Sequence, residues 1–585
     1  MRLHCKRNWG CWVVATGCML AWWGHGCLAF AGGETALREA AAQRIEWQSQ
    51  EAATEVLPLK LLAINDFHSQ LSAGLTVDGR PVGSAPVLAS YLQSLEKEAR
   101  GATIILHAGD HVGASQPQSA LLQDEPGVMF FNMLGNEQCR TQGRYGAGCN
   151  LIGIPGNHEL DEGPDEMLRL IRGGNHAQGP FLEQPYQGAA FPYICANLVY
   201  ADSGRPVFPP YVIHQIDGTS IAFIGALLRQ ASSFLSPQSL EGLQVLDEAE
   251  TINRYVSELQ SQGIHTVVAV IHQGGAQYQR QASAAGSAVV FGDIVPLVAR
   301  LDTEVDVVFA GHTHTFHNAF FERDGGKKML VVQAWPKGTG LADVDLTLSR
   351  KTGDVVAIGS RIVTTWADQG AGLRPDARVA GLTRQTEEAG NALASQVIAQ
   401  ATKPITRAAN AAGESALGDL VADAYRRTMK ADFAFIDADG LHADLDPGQI
   451  TKATPYSVQP YHLNLIRLEL TGRQIYALLN QQWSKEEEAE RRLQVSGLTY
   501  TWDAKQPVGQ RIVTVMRDGQ PLGAETCYTV AVNEYLAGGG GRFTVLTQGR
   551  NPVVGPFVAE ALGQYVAAHP QPISAPATGR ISRLN

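Results

Sequence analysis

The sequence predicts an α/β protein built in layers, followed by a second, smaller α+β unit. Three observations lead there. From residue 58 to about 365, short apolar, β-rich runs alternate with Gly-rich loops and helical stretches, the pattern of a layered α/β domain. A polar, Ala-rich, helix-prone stretch follows at 374–402, and a fresh set of helix and strand signals runs from 403 to 585. At 585 residues the chain is also too long for one core, because domains typically hold about 50–250 residues.

The N-terminus comes first. Arg2, Lys6 and Arg7 form a positive start, "CWVVATGCMLAWW" is an apolar stretch, and "AFA" (Ala29 to Ala31) offers a small-x-small cleavage site. Residues 1–31 therefore read as an export signal, giving a periplasmic or secreted protein. The apolar stretch is shorter than the ~20 residues a spanning helix needs, so no transmembrane segment is expected. A lipid on Cys18 or Cys27 is the alternative, with a poorer match of the residues before them. Four cysteines remain beyond the signal: Cys139, Cys149, Cys195 and Cys527. The first two close the polar loop "CRTQGRYGAGC", and in an oxidising compartment that spacing favours a local disulfide.

Composition narrows the partners. The chain is 44% hydrophobic and 18% charged, with a formal net charge of −11. Binding a phosphate backbone needs clustered Lys and Arg, so nucleic acid is not expected as the main partner. A small anionic substrate stays open, because bound metal can dominate the charge of a local site.

Between 58 and 365, the helices "APVLASYLQSLEKEA" and "EAETINRYVSELQSQG" separate a series of strands. Five strands end in polar groups. "LKLLAIN" runs into Asp66 and His68, "TIILHAG" into Asp110, and "NLIGIPG" into Asn157, His158, Glu159 and Asp161. "HTVVAVI" ends at His272, and "VDVVFAG" at His312 and His314. Open α/β sheets bind ligands beyond the carboxyl ends of their strands. Mixed imidazole and carboxylate donors without thiolate suit Zn, Mn, Fe or Co. More donors than one tetrahedral ion uses point to two divalent ions sharing a carboxylate. Such a pair, ~3.5–4 Å apart, clamps both oxygens of a phosphoryl displacement and lowers the pKa of water toward ~7.

In that order, "NDFH", "AGDH", "GNHELD", "IHQGG" and "GHTHT" resemble the five blocks of the calcineurin-like metallophosphoesterases. Over roughly 58–575 the chain resembles the secreted 5′-nucleotidase and UDP-sugar hydrolase family. The resemblance implies a first metal on Asp66, His68 and His314, a second on Asn157, His272 and His312, and Asp110 bridging them. It implies that His158 faces the substrate phosphate and stabilises developing charge, oriented by Asp161. His317 has no counterpart and is expected at the surface. His107 and His111 are expected to support the site without holding metal.

The stretch 374–402 is expected to connect the units and to stand outside the core. In 403–585, "LGDLVADAYRRTM" reads as a helix, and "ADFAFID" and "LNLIRLEL" as strands. The resemblance puts stacking rings at Tyr461 in "VQPYHLNLIRLELTG" and Phe543 in "LAGGGGRF". Of the family's arginines, Arg407 is kept, whereas Ala411 and His442 stand where Arg is usual and Asp437 where a small polar residue is usual. Imidazole cannot reproduce the fork and permanent charge of a guanidinium. The expected activity is metal-dependent hydrolysis of a small phosphate ester, first of all a nucleotide. The alternatives are a UDP-sugar or another organic phosphate, a thiosulfohydrolase-type substrate, or a binding protein with a decayed pocket. Oligomeric state is not legible in the sequence.

Overall fold

The computed structural model describes residues 33–49, 55–140, 146, 148–231, 235, 239–278, 289–459, 463–483 and 491–585. The export signal and Tyr461 lie outside the described residues. The chain divides into two compact units: one runs to Ile398 and takes in Thr451–Tyr456, and the other holds Ala399–Ile450 and Ser457–Asn585.

Twelve strands make the two large sheets of the first unit. In chain order they are β1 (Ile45–Gln48), β2 (Val56–Ile64), β3 (Ala102–Ala108), β4 (Leu151–Ile154), β5 (Tyr211–Ile216) and β6 (Thr219–Leu227). There follow β7 (Thr266–His272), β8 (Val305–Ala310), β9 (His317–Glu322), β10 (Lys328–Gln333), β11 (Gly340–Ser349) and β12 (Val355–Thr364). One sheet has the order β1-β12-β11-β2-β3-β4, the other β9-β10-β8-β7-β6-β5. Each has a parallel heart, β2-β3-β4 in the first and β10-β8-β7-β6 in the second, with antiparallel strands added on one side of the first and on both sides of the second.

The side-chain period of two builds the layers. Along β2, Leu59, Leu61 and Ala63 enter the core between the sheets, where they join Ile104, Leu106, Phe223, Val268, Val307 and Leu330. Leu62 and Ile64 point the other way, into a second core with Leu88, Leu92 and Leu95 of helix α1 (Ala85–Glu98). Across the other sheet, Ala222, Ile224, Val267 and Ala269 pack on Ile252, Val256 and Leu259 of α2 (Glu248–Ser261). The result is helix, sheet, sheet, helix. A strand buried on both faces reads as a nearly continuous apolar run, as β2 does. Its exception is Lys60, buried and ion-paired with Asp343 at 2.5 Å.

Helix α3 (Ala377–Ala394) differs from the connector expected at 374–402: one face of it closes the first unit's outer core. Val379, Leu382, Thr383 and Thr386 are buried. The threonines are tolerated there because their hydroxyls donate to Val379 and Leu382 carbonyls one turn back, at 3.1 and 2.9 Å. Their polarity disguised a buried stripe.

The second unit contains α4 (Ala416–Thr428), capped by Ser415, whose side chain accepts from the Gly418 N–H. Its five-stranded mixed sheet uses β13 (Phe433–Asp437), β14 (Asn464–Thr471), β15 (Leu493–Ser496), β16 (Cys527–Asn533) and β17 (Arg550–Phe557). The strand order is β15-β13-β16-β14-β17. Phe433, Phe435, Leu468, Val495, Tyr500 and Trp502 anchor its core.

Candidate metal centre and active site

The carboxyl end of β7 and the loops after β2, β3, β4 and β8 bring together Asp66, His68, Asp110, Asn157, His272, His312 and His314. Ligand atoms of Asp66, His68, Asp110 and His314 form one cluster, and those of Asp110, His272 and His312 a second, each spanning no more than 4.8 Å. Asp110 belongs to both. The carboxamide Oδ1 of Asn157 lies 2.9 Å from His312 Nδ1 and 3.2 Å from His272 Nε2.

Local backbone puts them there. Asp66, His68, Asp110, His312 and His314 hold positive φ of 49°, 50°, 54°, 75° and 53°. Non-glycine residues rarely adopt this region, and they persist in it only where the surroundings over-determine it. Those surroundings are visible. Asp66 N–H donates to the Gly109 carbonyl at 3.1 Å, His68 N–H to Asp110 at 3.0 Å, and His312 N–H to the Asp66 carboxylate at 2.8 Å. The loops also approach closely: a Cβ on Gly156 would stand 2.1 Å from Asp110 Oδ1.

The histidine tautomers are set from behind. His272 Nδ1 lies 2.7 Å from the Ala108 carbonyl and His68 Nδ1 2.8 Å from that of Gly113. Both nitrogens must carry the proton to donate there, so each Nε2 is turned inward. Such outer contacts orient metal-binding imidazoles. His272 Nε2 stands 3.0 Å from Asp110 Oδ2.

The electrostatics point the same way. Asp66 and Asp110 are buried at 0% and 1% exposure, and among the described residues no Lys or Arg pairs with either. Burial first, and then the Asp110 charge, push the Asp66 carboxyl up to about 7. Burial opposes charge on His272 as well, but Asp110 and Asp66 outweigh it and raise that imidazole to about 9. Burial, followed by repulsion from His272, drives His312 down to about 3. Two buried carboxylates, four imidazoles and a carboxamide thus converge with little cationic compensation. This donor set fits divalent cations without thiolate.

His158 sits beside these clusters. Its Nδ1 is 2.7 Å from Asp161 Oδ2, and its backbone N–H donates to Asp110 Oδ1 at 2.9 Å. Glu159, given no role by sequence reasoning, is the buried clasp of the site. It accepts from the N–H groups of Asp110, His111 and Gly156 at 3.1, 2.8 and 2.5 Å, and meets His111 Nδ1 at 2.5 Å. Asn65 is a second residue missed: its amide donates to Asp66 Oδ2 at 2.7 Å, and its Oδ1 accepts from Ala334 N–H at 2.9 Å. Only their adjacency to metal-type residues could have signalled either one.

One expectation is corrected. His317 is not at the surface. It opens β9, pairs with Gln333 of β10 and is 0% exposed. The chain returns to the sheet three residues after His314, too soon for the loop to carry His317 outward.

Residues 59–316 match the model of the calcineurin-like phosphoesterases, and 397–548 that of the 5′-nucleotidase C-terminal domain. The two matches, in this order, resemble the make-up of the 5′-nucleotidases. Calcineurin-like phosphoesterases use two divalent metal ions, and the two clusters sharing Asp110 suit such a pair. Among curated relatives, Endonuclease YhcR of Bacillus subtilis is 32% identical over 542 residues, 91% of this chain and 41% of that protein. Cell wall protein Lmo0130 of Listeria monocytogenes is 31% identical over 537 residues, 84% of this chain and 65% of that protein. The chain therefore spans less than two thirds of either. A 5′-nucleotidase precursor from Thermus thermophilus superposes with a TM-score of 0.54 at 26% identity, covering 90% of this chain and 100% of that one.

The second unit holds the other residues that the family resemblance singled out. Arg407 donates to the Leu441 carbonyl at 3.0 Å and lies 3.7 Å from Asp444. His442 is exposed, and its N–H donates to Val458 at 2.9 Å. Asp437 is buried, accepts from Asp439 N–H at 3.1 Å, and is raised by that burial. Phe543, expected as an open stacking ring, is 0% exposed within the core. Gly539 and Gly541, at φ +85° and +61°, fold the loop over it, and a Cβ on Gly541 would stand 3.2 Å from the ring. The Cys139–Cys149 disulfide is formed. Among the described residues no helix is long and apolar enough to cross a membrane.

Proposed function

We propose that this protein hydrolyses the phosphate monoester of a nucleotide outside the cytoplasm. On this reading Asp66, His68 and His314 hold one divalent ion, Asn157, His272 and His312 hold the other, and Asp110 bridges them. The observation that carries it is the membership of Asp110 in both donor clusters. Bound divalent ions supply Lewis acidity and a lowered pKa for water. The chain's own residues do the rest. His158, its Nδ1 tied to Asp161, offers its other ring nitrogen to a phosphate oxygen, and the Asp161 carboxylate favours the protonated ring as charge develops. Asn65 and Glu159 hold the loops so that no ligand has to reorient.

Relatives named 5′-nucleotidase support the nucleotide, including one from Vibrio cholerae that is 23% identical over 507 residues. A second reading, another organic phosphate such as a UDP-sugar, is favoured by the second unit. Ala411 and His442 supply no guanidinium, and Arg407 is already engaged with Leu441 and Asp444. The deciding experiment is a panel of AMP, a UDP-sugar and an aryl phosphate, assayed with Mn, Co, Zn and Mg. Metal-loaded protein inert toward all three would sink both readings. Export is supported by the disulfide and by a relative named a cell wall protein. Mass spectrometry of the mature chain should show a start near Gly32, and an intact Met1 would contradict it.

A further inference from the structure

Lys337 lies in the turn after β10, beside the first donor cluster. Its backbone N–H donates to the Asp66 carbonyl at 2.7 Å, and both residues hold positive φ, 56° and 49°. The turn is fixed from below, since a Cβ on Gly338 would stand 3.2 Å from the Phe67 ring. Lys337 therefore cannot drift from the loop that carries Asp66 and His68. His314, a member of the same donor cluster, lies at the rim with 40% of its side chain exposed.

Among the described residues, Lys337 combines partial burial and the lack of a carboxylate partner with a place beside the donor cluster. Lys60, Lys327 and Lys328 each pair with a carboxylate, at 2.5, 3.3 and 2.9 Å. The half-buried Lys337 ammonium makes no hydrogen bond or ion pair among the described residues, and burial alone lowers its pKa. A cation withdrawn from water without a counter-ion is costly, so a fold that holds one in place leaves an anion to be supplied.

We propose that the Lys337 ammonium binds a peripheral oxygen of the substrate phosphate and selects monoester dianions over diester monoanions. This rests on the phosphoesterase reading above. An ammonium is a compact point charge with three donors, and its attraction grows with the charge on the phosphate. A monoester offers a second charged oxygen that a diester lacks.

The test uses metal-loaded wild type, Lys337→Gln and Lys337→Arg, with metal content measured for each. Para-nitrophenyl phosphate and bis(para-nitrophenyl) phosphate serve as substrates, and inorganic phosphate binding is followed by calorimetry. Lys337→Gln should raise KM for the monoester and Kd for phosphate about tenfold, as expected for a lost charged hydrogen bond. KM for the diester should move much less, and Lys337→Arg should recover most of the loss. Unchanged phosphate binding in Lys337→Gln, equal weakening of both esters, or loss of a metal equivalent would each overturn the proposal. A wild type that binds phosphate but cleaves neither ester would instead refute the phosphoesterase reading, and calorimetry would still report on Lys337.

Discussion

The Nε2 atoms of His68 and His314 face one another across 2.9 Å. The two rings meet at 67° with centroids 4.8 Å apart. His68 has its proton on the far nitrogen, toward Gly113, so the facing atom presents a lone pair. Its burial, and then the nearby His314, hold it neutral. Two nitrogens aimed at one point are satisfied by a shared cation.

Chelation should therefore lower the melting midpoint. Ligands bound to the native state alone stabilise by about 4 kcal/mol at a thousandfold excess over Kd. Asp110→Ala should abolish hydrolysis of every ester and reduce the metal content below that of wild type. Near-native turnover with full metal content, read by elemental analysis, would disprove the bridge.

His158→Asn should leave the metal content intact and reduce turnover by about 10²–10³, the usual effect of removing one charge-stabilising donor. Asp161→Asn should act in the same direction more mildly, because it removes only the support at Nδ1. If His158→Asn lost metal, His158 would be a ligand and not a charge stabiliser.

Glu159→Gln should be unusually damaging for so small a change. The carboxylate faces three backbone donors and His111, which together hold it ionised below its usual range even though burial opposes the charge. An amide would turn an N–H toward one of those donors, and each buried group left unsatisfied costs about 1–3 kcal/mol. Thermal melts and metal content should both fall. A variant as stable and as well loaded as wild type would show that the loops do not depend on this clasp.

His317 gives the chain a sensitivity to acid. Burial pushes its imidazole from 6.5 down to about 4, while the unfolded chain keeps the ordinary value. Between those two values the unfolded state binds a proton that the folded state does not. Stability is therefore full above 6.5 and falls as pH drops toward 4, by up to about 3 kcal/mol from this group. His317 Nε2 is buried with no partner among the described residues, so His317→Leu should be tolerated and should flatten that part of the profile. Urea midpoints at neutral and acidic pH, compared between the two proteins, test this. Parallel profiles would exclude His317 as the cause.

The strand ends were legible because two signals coincide there. An apolar run buried on both faces must stop where the sheet stops, and a polar metal-type residue at that point stands out against it. Asp66, Asp110 and His272 announce themselves in this way. His317 does not, because a histidine near a loop looks the same whether the next strand begins at once or much later. Thr383 and Thr386 hid the buried face of α3 by bonding to their own helix. Glu159 and Lys337 act through backbone groups and a turn brought together only by folding, and no spacing in the sequence records that. Phe543 misled for a related reason: Gly-rich flanks suggest an open loop, and here they close over the ring.

Asp66, His68, Asp110 and His312 stand in left-handed backbone, their N–H groups bonded to Gly109, Asp110, Glu159 and Asp66 with no ion involved. The dimensions of the cage are thus set by the polypeptide's own hydrogen bonds. A cage of fixed dimensions ranks cations by ionic radius and preferred coordination rather than adapting to each. Exchanging one transition metal for another should then alter turnover while leaving the shape of the protein unchanged.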